Sequence, residues 1–169
     1  IYDLDLKSGT SQFAPGLKSR RIATQVSHHL LLAHGLATQA MRSQTSTQLG
    51  IVLNHTPAYP AEATEANRRA ARLADGMDVR WYMDPLFRGA YPADAVADRV
   101  VRGQLLPGGL PFVEPGDLEA ISAPLDFRGV NYYSRAIMQA GPDGKPVALP
   151  PAPGVAATEE FGSRLSVRG

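Results

Sequence analysis

Two short apolar runs constrain this chain more than anything else in it. The first is Leu49-Gly50-Ile51-Val52-Leu53, ending in Asn54, and the second is Phe127-Arg128-Gly129-Val130-Asn131-Tyr132-Tyr133. The first shows no polar–apolar alternation, which suits a strand buried on both faces, as in a parallel sheet. The second reads as another buried strand. Pro57 and Pro60 forbid extension of the first run, because proline cannot donate to a strand ladder. About seventy residues separate the two runs, enough for the helical crossover that joins parallel strands, and such crossovers are almost always right-handed. Two parallel strands cannot cover their own faces. The expectation is an α/β fold from which neighbouring elements are missing.

The segments around these runs read as helices. Ser19 is a suitable N-cap. After it, Ile22, Val26, Leu30, Ala33, Ala37, Ala40 and Met41 recur at spacings of three and four, predicting one apolar face of a long helix. Gly35 interrupts that pattern at a cost of about 1 kcal/mol relative to alanine, and a close neighbouring backbone would account for it. Residues 62–84 repeat the helical period through Ala66, Ala70, Leu73 and Met77. Residues 84–92 are rich in turn formers, 93–102 suit a further short helix, and 107–117 read as a surface loop with Pro107, Gly108, Gly109, Pro111, Pro115 and Gly116. A helical turn is expected over 117–121 and a loop or linker over 141–153. Residues 1–19 read as irregular, with turns at Gly9, Pro15 and Gly16. The last residues carry no clear signal, and there is no internal repeat.

The bulk composition excludes several function classes. With 169 residues, a net charge of +1 and both signs interspersed, the chain has no electrostatic footprint for nucleic acid or an anionic membrane. Its longest like-charge runs, Arg20-Arg21, Arg68-Arg69 and Glu159-Glu160, read as solvated surface. There is no cysteine, which excludes disulfide frameworks and thiolate metal sites and favours an intracellular, cytoplasmic setting. No stretch approaches the roughly 18 apolar residues of a membrane span. His28, His29 and His34 lie on one helix, but spacings of five and six do not place two ligands on one face. They read as structural hydrogen-bonding residues, and no metal or cofactor is expected.

Four segments carry a resemblance when taken in order. They are Ala14-Pro15-Gly16 with the helix bearing His28-His29-Leu30-Leu31-Leu32-Ala33-His34-Gly35; Gly50-Ile51-Val52-Leu53-Asn54; Trp81-Tyr82-Met83-Asp84-Pro85-Leu86-Phe87-Arg88-Gly89-Ala90-Tyr91-Pro92; and Asp126-Phe127-Arg128-Gly129-Val130-Asn131-Tyr132-Tyr133-Ser134. Together they resemble the family 1 glycoside hydrolases of the β-glucosidase type. The resemblance implies part of a (β/α)8 TIM barrel, covering about strands five and six with the helices around them. It spans about residues 14–138 of a single partial domain, 1–169, whose two ends diverge from the family. Barrels with insertions can exceed about 400 residues, so the match covers a fraction of a whole member.

The implied activity is retaining hydrolysis of O-linked β-glycosides or oligosaccharides, which needs a nucleophile and an acid/base carboxyl roughly 5–5.5 Å apart. In the family these are the glutamates of a Thr-x-Asn-Glu-Pro segment and a Thr-Glu-Asn-Gly segment. Counted along the resemblance, the first is expected at or just before Ile1 and the second beyond Gly169. Glu114-Pro115 follows Val113 in a Pro/Gly loop, and Glu159-Glu160 sits in an unpatterned tail, so each reads as surface carboxylate. The expectation is a chain lacking both catalytic glutamates.

Asn131 and Tyr133 fall at the C-terminal end of a parallel strand, where barrel enzymes place their sites, and alternation puts them on one side. The resemblance implies that Tyr133 donates a hydrogen bond to the nucleophile and that Asn131 lies near the sugar's 2-hydroxyl. The plain alternative is a polar layer between strands. Asn54 ends the other strand on the same face, where a role in the pocket wall is expected. His55 is placed at the leaving-group side, with an exposed loop histidine as its alternative. Trp81 and Tyr82 follow a helix, where core packing competes with stacking on sugar. The runner-up function is a non-catalytic scaffold or binding remnant whose half-pocket a partner chain completes; a different carbohydrate-active barrel is a third reading.

Overall fold

The computed structural model describes residues 19–150 and two short strands beyond them, Ala157–Thr158 and Ser163–Arg164, which pair antiparallel. The Ala14-Pro15-Gly16 loop, the irregular first residues and Glu159-Glu160 lie outside the described residues. In chain order the elements are α1 (Arg20–Arg42), β1 (Gly50–His55), β2 (Ala58–Pro60), α2 (Glu65–Asp78), α3 (Arg80–Arg88), α4 (Ala93–Val101), α5 (Asp117–Ile121), β3 (Phe127–Tyr132), β4 (Ala136–Ala140) and β5 (Pro146–Ala148), followed by the two short strands, β6 and β7. The described residues divide into two compact units: one of residues up to 47 and 84–124, the other of residues 48–83 and those from 125 onward.

In the first unit α1 starts where expected. Ser19 is extended and its side chain accepts from the Ile22 backbone N–H at 3.3 Å, satisfying one of the orphan donors of the first turn. The buried face of α1 is not the apolar stripe that its periodicity predicts. Ala23, Thr24, Ser27, His28, Leu31, Gly35 and Thr38 are buried, whereas Ile22, Leu30 and Met41 are exposed, Leu30 to 57%. The elements that cover α1 within this unit meet its small and polar side, and the apolar stripe stays uncovered. Gly35 is the closest point: a Cβ there would sit 2.6 Å from the carbonyl carbon of Ala120 and 2.9 Å from Cα of Ile121. The absent side chain lets the backbones of α1 and α5 touch. The Arg99 guanidinium, buried on α4, donates to Gln104 Oε1 at 2.9 Å and to Thr24 Oγ1 at 3.3 Å, tying α4 to α1.

In the second unit β1 and β3 pair in parallel, Gly50 opposite Phe127 and Asn54 opposite Asn131. Asp126 fastens the start of the pair. Its backbone N–H donates to Leu49 O at 2.8 Å and its carboxylate accepts from the Leu49 N–H at 2.7 Å. The crossover between the strands carries α2, whose N-cap Thr64 accepts from the Asn67 N–H and whose first turn holds Glu65 at the positive end of the dipole.

β3 is not the buried strand expected. All its residues except Gly129 are exposed, because no described strand lies beyond it. The region beyond Pro57 also differs. β2 follows β1 as a separate edge strand, parallel to β4, and Pro60 closes it, the last bond to β4 coming from the Ala61 N–H to Met138 O at 2.8 Å. The loop expected from Gly141 is instead a tight turn through Gly144, at φ +74°, returning β5 antiparallel to β4. Ala70 and Ala71 of α2 pack with Met138 of β4 beneath this small sheet, and the Asn67 side chain accepts from the Ala140 N–H at 2.9 Å. The turn-rich stretch from Asp84 begins in helix: α3 runs through Pro85, whose ring is fully buried. Burial of that ring, with Trp81 and Leu86, offsets the lost hydrogen bond, a defect of about 3 kcal/mol in an isolated helix.

Candidate active site

The polar residues singled out in the sequence converge at the C-terminal ends of β1 and β3. Asn54 and Asn131 are register partners on neighbouring parallel strands, so their side chains leave the sheet on the same face. Asn131 Nδ2 donates to Asn54 Oδ1 at 2.8 Å. Tyr133 lies one residue past the end of β3 and two past Asn131, and it is 55% exposed. The exposed face of β1 also carries Val52, whose methyl lies under Gly129: a Cβ on Gly129 would approach it to 2.8 Å. A glycine there keeps the two strands in register beneath the asparagine pair.

His55 is not brought to this group. It alternates with Asn54 along β1 and is 5% exposed. Burial pushes its pKa below the ordinary histidine value; the positive charge of Arg128 adds to this, while Asp75 and the backbone of Asp78 pull the other way. The neutral ring is therefore favoured. It is not an exposed loop histidine, and alternation turns it to the face opposite Asn54 and Asn131. Trp81 is fully buried, as core packing requires, and Met83 Sδ lies 3.2 Å from the Arg128 guanidinium. The described glutamates, Glu62, Glu65, Glu114 and Glu119, are all exposed. No three His, Cys, Asp or Glu side chains gather as a metal site among the described residues, and no described helix is long and apolar enough to cross a membrane.

The first unit holds a separate polar network. His28 is fully buried, with Nδ1 3.0 Å from the Tyr91 hydroxyl and Nε2 3.0 Å from Asp117 Oδ2. Burial raises the Tyr91 pKa, so the phenol keeps its proton and can donate to Nδ1. The Asp117 pKa is lowered, chiefly by the Glu114 backbone N–H and then by His28, so its carboxylate accepts from Nε2–H. An Nε2–H donor to Asp117 with Nδ1 accepting from Tyr91 satisfies both contacts. This accounts for the tyrosine of the Gly-x-Tyr-Pro segment. Asp117 escaped the sequence reading because it lies 89 residues from its partner.

Comparison with known proteins places this geometry. The sequence pattern of glycosyl hydrolase family 1 matches residues 2–156. Among curated relatives, β-glucosidase A of Acetivibrio thermocellus is 38% identical over 133 residues, which are 78% of this chain and 29% of that protein. A β-glucosidase of an Agrobacterium species is 37% identical over 148 residues, 84% of this chain and 30% of that protein. The crystal structure of a β-glucosidase from Exiguobacterium marinum superposes with a TM-score of 0.77 at 32% identity, covering 90% of this chain and 34% of that one. The chain thus spans about three tenths of the length of these curated relatives. Its parallel strand pair and surrounding helices are part of a (β/α)8 barrel, and the chain belongs to glycosyl hydrolase family 1.

Proposed function

We propose that this chain is the strand-five and strand-six portion of a retaining β-glycosidase of the β-glucosidase type, and that it holds part of the sugar site but neither catalytic glutamate. The observation that carries this reading is the Asn54–Asn131 pair with Tyr133 beside it, at the C-terminal ends of two parallel strands of a family 1 chain. Barrel enzymes build their sites at that end. Two asparagine side chains and a phenol supply neutral donors and acceptors suited to sugar hydroxyls and to an adjacent carboxylate. They supply no acid of their own. None of the six glutamates lies in an Asn-Glu-Pro or Thr-Glu-Asn-Gly setting, and the four described ones are exposed.

On this reading Tyr133 orients and holds ionised the nucleophile of the complete barrel, while Asn131 faces the sugar. The substrate is a β-glycoside or a short oligosaccharide, and the absence of cysteine fits a reducing, cytoplasmic setting. The uncovered β3 supports a second reading, in which the chain docks barrel strands supplied by another polypeptide without itself taking part in turnover.

A hybrid barrel tests the proposal. The 133 matched residues of the Acetivibrio enzyme are replaced by their counterparts here, leaving the host's own flanking segments in place. The hybrid should hydrolyse an aryl β-glucoside with retention and be labelled stoichiometrically by a mechanism-based inactivator. The isolated 169-residue chain should do neither. A folded hybrid without turnover would overturn the assigned activity, and covalent labelling of the isolated chain would show that it does hold a nucleophile.

A further inference from the structure

The sequence places Asn54 in the pocket wall as a substrate contact. We infer instead that Asn54 is a positioning residue, which fixes the amide of Asn131 so that it turns a carbonyl oxygen, rather than an N–H pair, away from β1. This rests on the reading of Asn131 as a sugar contact.

The argument starts from the chemistry of an asparagine side chain. Its amide carries two N–H donors on one side and an acceptor oxygen on the other, so a half-turn about the last bond exchanges what it offers a ligand. An exposed asparagine with no partner samples both orientations. Asn131 is exposed but has a partner: its Nδ2 donates to Asn54 Oδ1 at 2.8 Å, within the ordinary range for N–H···O. The β1–β3 ladder makes the two residues direct register partners, so the contact is built into the strand pairing. With Nδ2 held on the Asn54 side, Oδ1 of Asn131 points away from it. Asn54 thereby decides the polarity that Asn131 presents.

The direction of this hydrogen bond gives an asymmetric test. Only the acceptor oxygen of Asn54 is used, and aspartate keeps that oxygen. In the hybrid barrel, Asn54→Ala should lower kcat/KM for an aryl β-glucoside by roughly three- to tenfold, the range expected for one net hydrogen bond. Asn54→Asp should recover most of that loss. Asn131→Asp should not, because two acceptors would then face each other. The double variant Asn54→Ala/Asn131→Ala should be no worse than Asn131→Ala alone, since a residue that acts through another loses its effect once that other is gone.

If Asn54 touches substrate through its own N–H, Asn54→Asp will be as damaging as Asn54→Ala and the two alanine effects will add; either result overturns the inference. A second readout does not depend on turnover. The side-chain amide resonance of Asn131 in the hybrid should shift and broaden in Asn54→Ala and stay in place in Asn54→Asp, and an unmoved resonance in both variants would equally overturn it. Loss of activity in the unsubstituted hybrid would tell against the glycosidase reading and leave this amide test standing.

Discussion

His28 Nε2 and Asp117 Oδ2 lie 3.0 Å apart although 89 residues separate them in the chain, and the Tyr91 hydroxyl closes the other side of the same imidazole. A fully buried ring is thus satisfied at both nitrogens by groups from two distant segments. Tyr91→Phe deletes one donor and leaves Nδ1 buried without it, which costs about 1–3 kcal/mol. Urea unfolding of the hybrid barrel should show a lower midpoint with unchanged slope. An unchanged midpoint would mean that water or a neighbour replaces the phenol at no cost.

Gly35 gives a second stability test. Alanine normally favours a helix interior by about 1 kcal/mol over glycine. Here the new methyl would meet the backbone of Ala120 and Ile121, neither of which is a flexible side-chain end. Gly35→Ala should therefore destabilise the hybrid, by about 1–3 kcal/mol as overpacking does. A gain in melting temperature would show that α5 can withdraw freely.

Much of this was legible in the sequence, and the exceptions have physical causes. The Ser19 cap, both parallel strands, the backbone contact at Gly35 and the shared face of Asn54 and Asn131 follow from local rules of capping, periodicity and alternation. The buried face of α1 did not follow. Periodicity reports where apolar residues lie, not which side finds a partner within this chain, and Ile22 and Leu30 stay exposed among the described residues. The burial expected of β3 fails for the same reason, since no described strand lies beyond it. Local rules do not predict a helix through Pro85, because tertiary burial there outweighs a local breaker. His55 reads as loop or pocket from its position next to prolines, yet strand alternation turns it to the buried face.

That burial predicts an acid response. His55 and His34 both have pKa values lowered by burial, so the unfolded chain binds protons more readily than the folded one. Their contribution to stability is full above the ordinary histidine value near 6.5 and is lost as pH falls below it. His55→Leu cannot take up a proton. Thermal melts of the hybrid between pH 7 and pH 5 should show a smaller drop for His55→Leu than for the unsubstituted barrel. Identical drops would exclude His55 from the response.

The isolated chain should not fold cooperatively. Among the described residues β1 and β3 have only each other as partners, and Val52, Phe127, Val130 and Tyr132 are exposed around them. Unpaired edges and uncovered apolar faces favour association over a unique packed state. Far-UV circular dichroism should report helix, a hydrophobic dye should bind, and heating should give no sharp transition. A sharp two-state melt from a monomer would refute this.

Tyr133 carries the chemical prediction. Its phenol is 55% exposed one residue past the end of β3, so removing the hydroxyl alone disturbs little packing. In the complete barrel the proposed partner of that hydroxyl is the nucleophilic carboxylate. Tyr133→Phe keeps the ring and deletes one charge-assisted hydrogen bond, worth about 1.5–3 kcal/mol. If that energy acts on the transition state, turnover of the hybrid falls roughly ten- to a hundredfold. The donor also favours the ionised carboxylate, so its loss raises the nucleophile's pKa, and the acidic limb of the pH–rate profile moves upward. A packing role predicts the reverse pattern, a lower melting temperature with normal turnover and an unmoved limb. Steady-state kinetics of this one variant from pH 4 to pH 8 separates the two, because only contact with the nucleophile couples the hydroxyl to the limb.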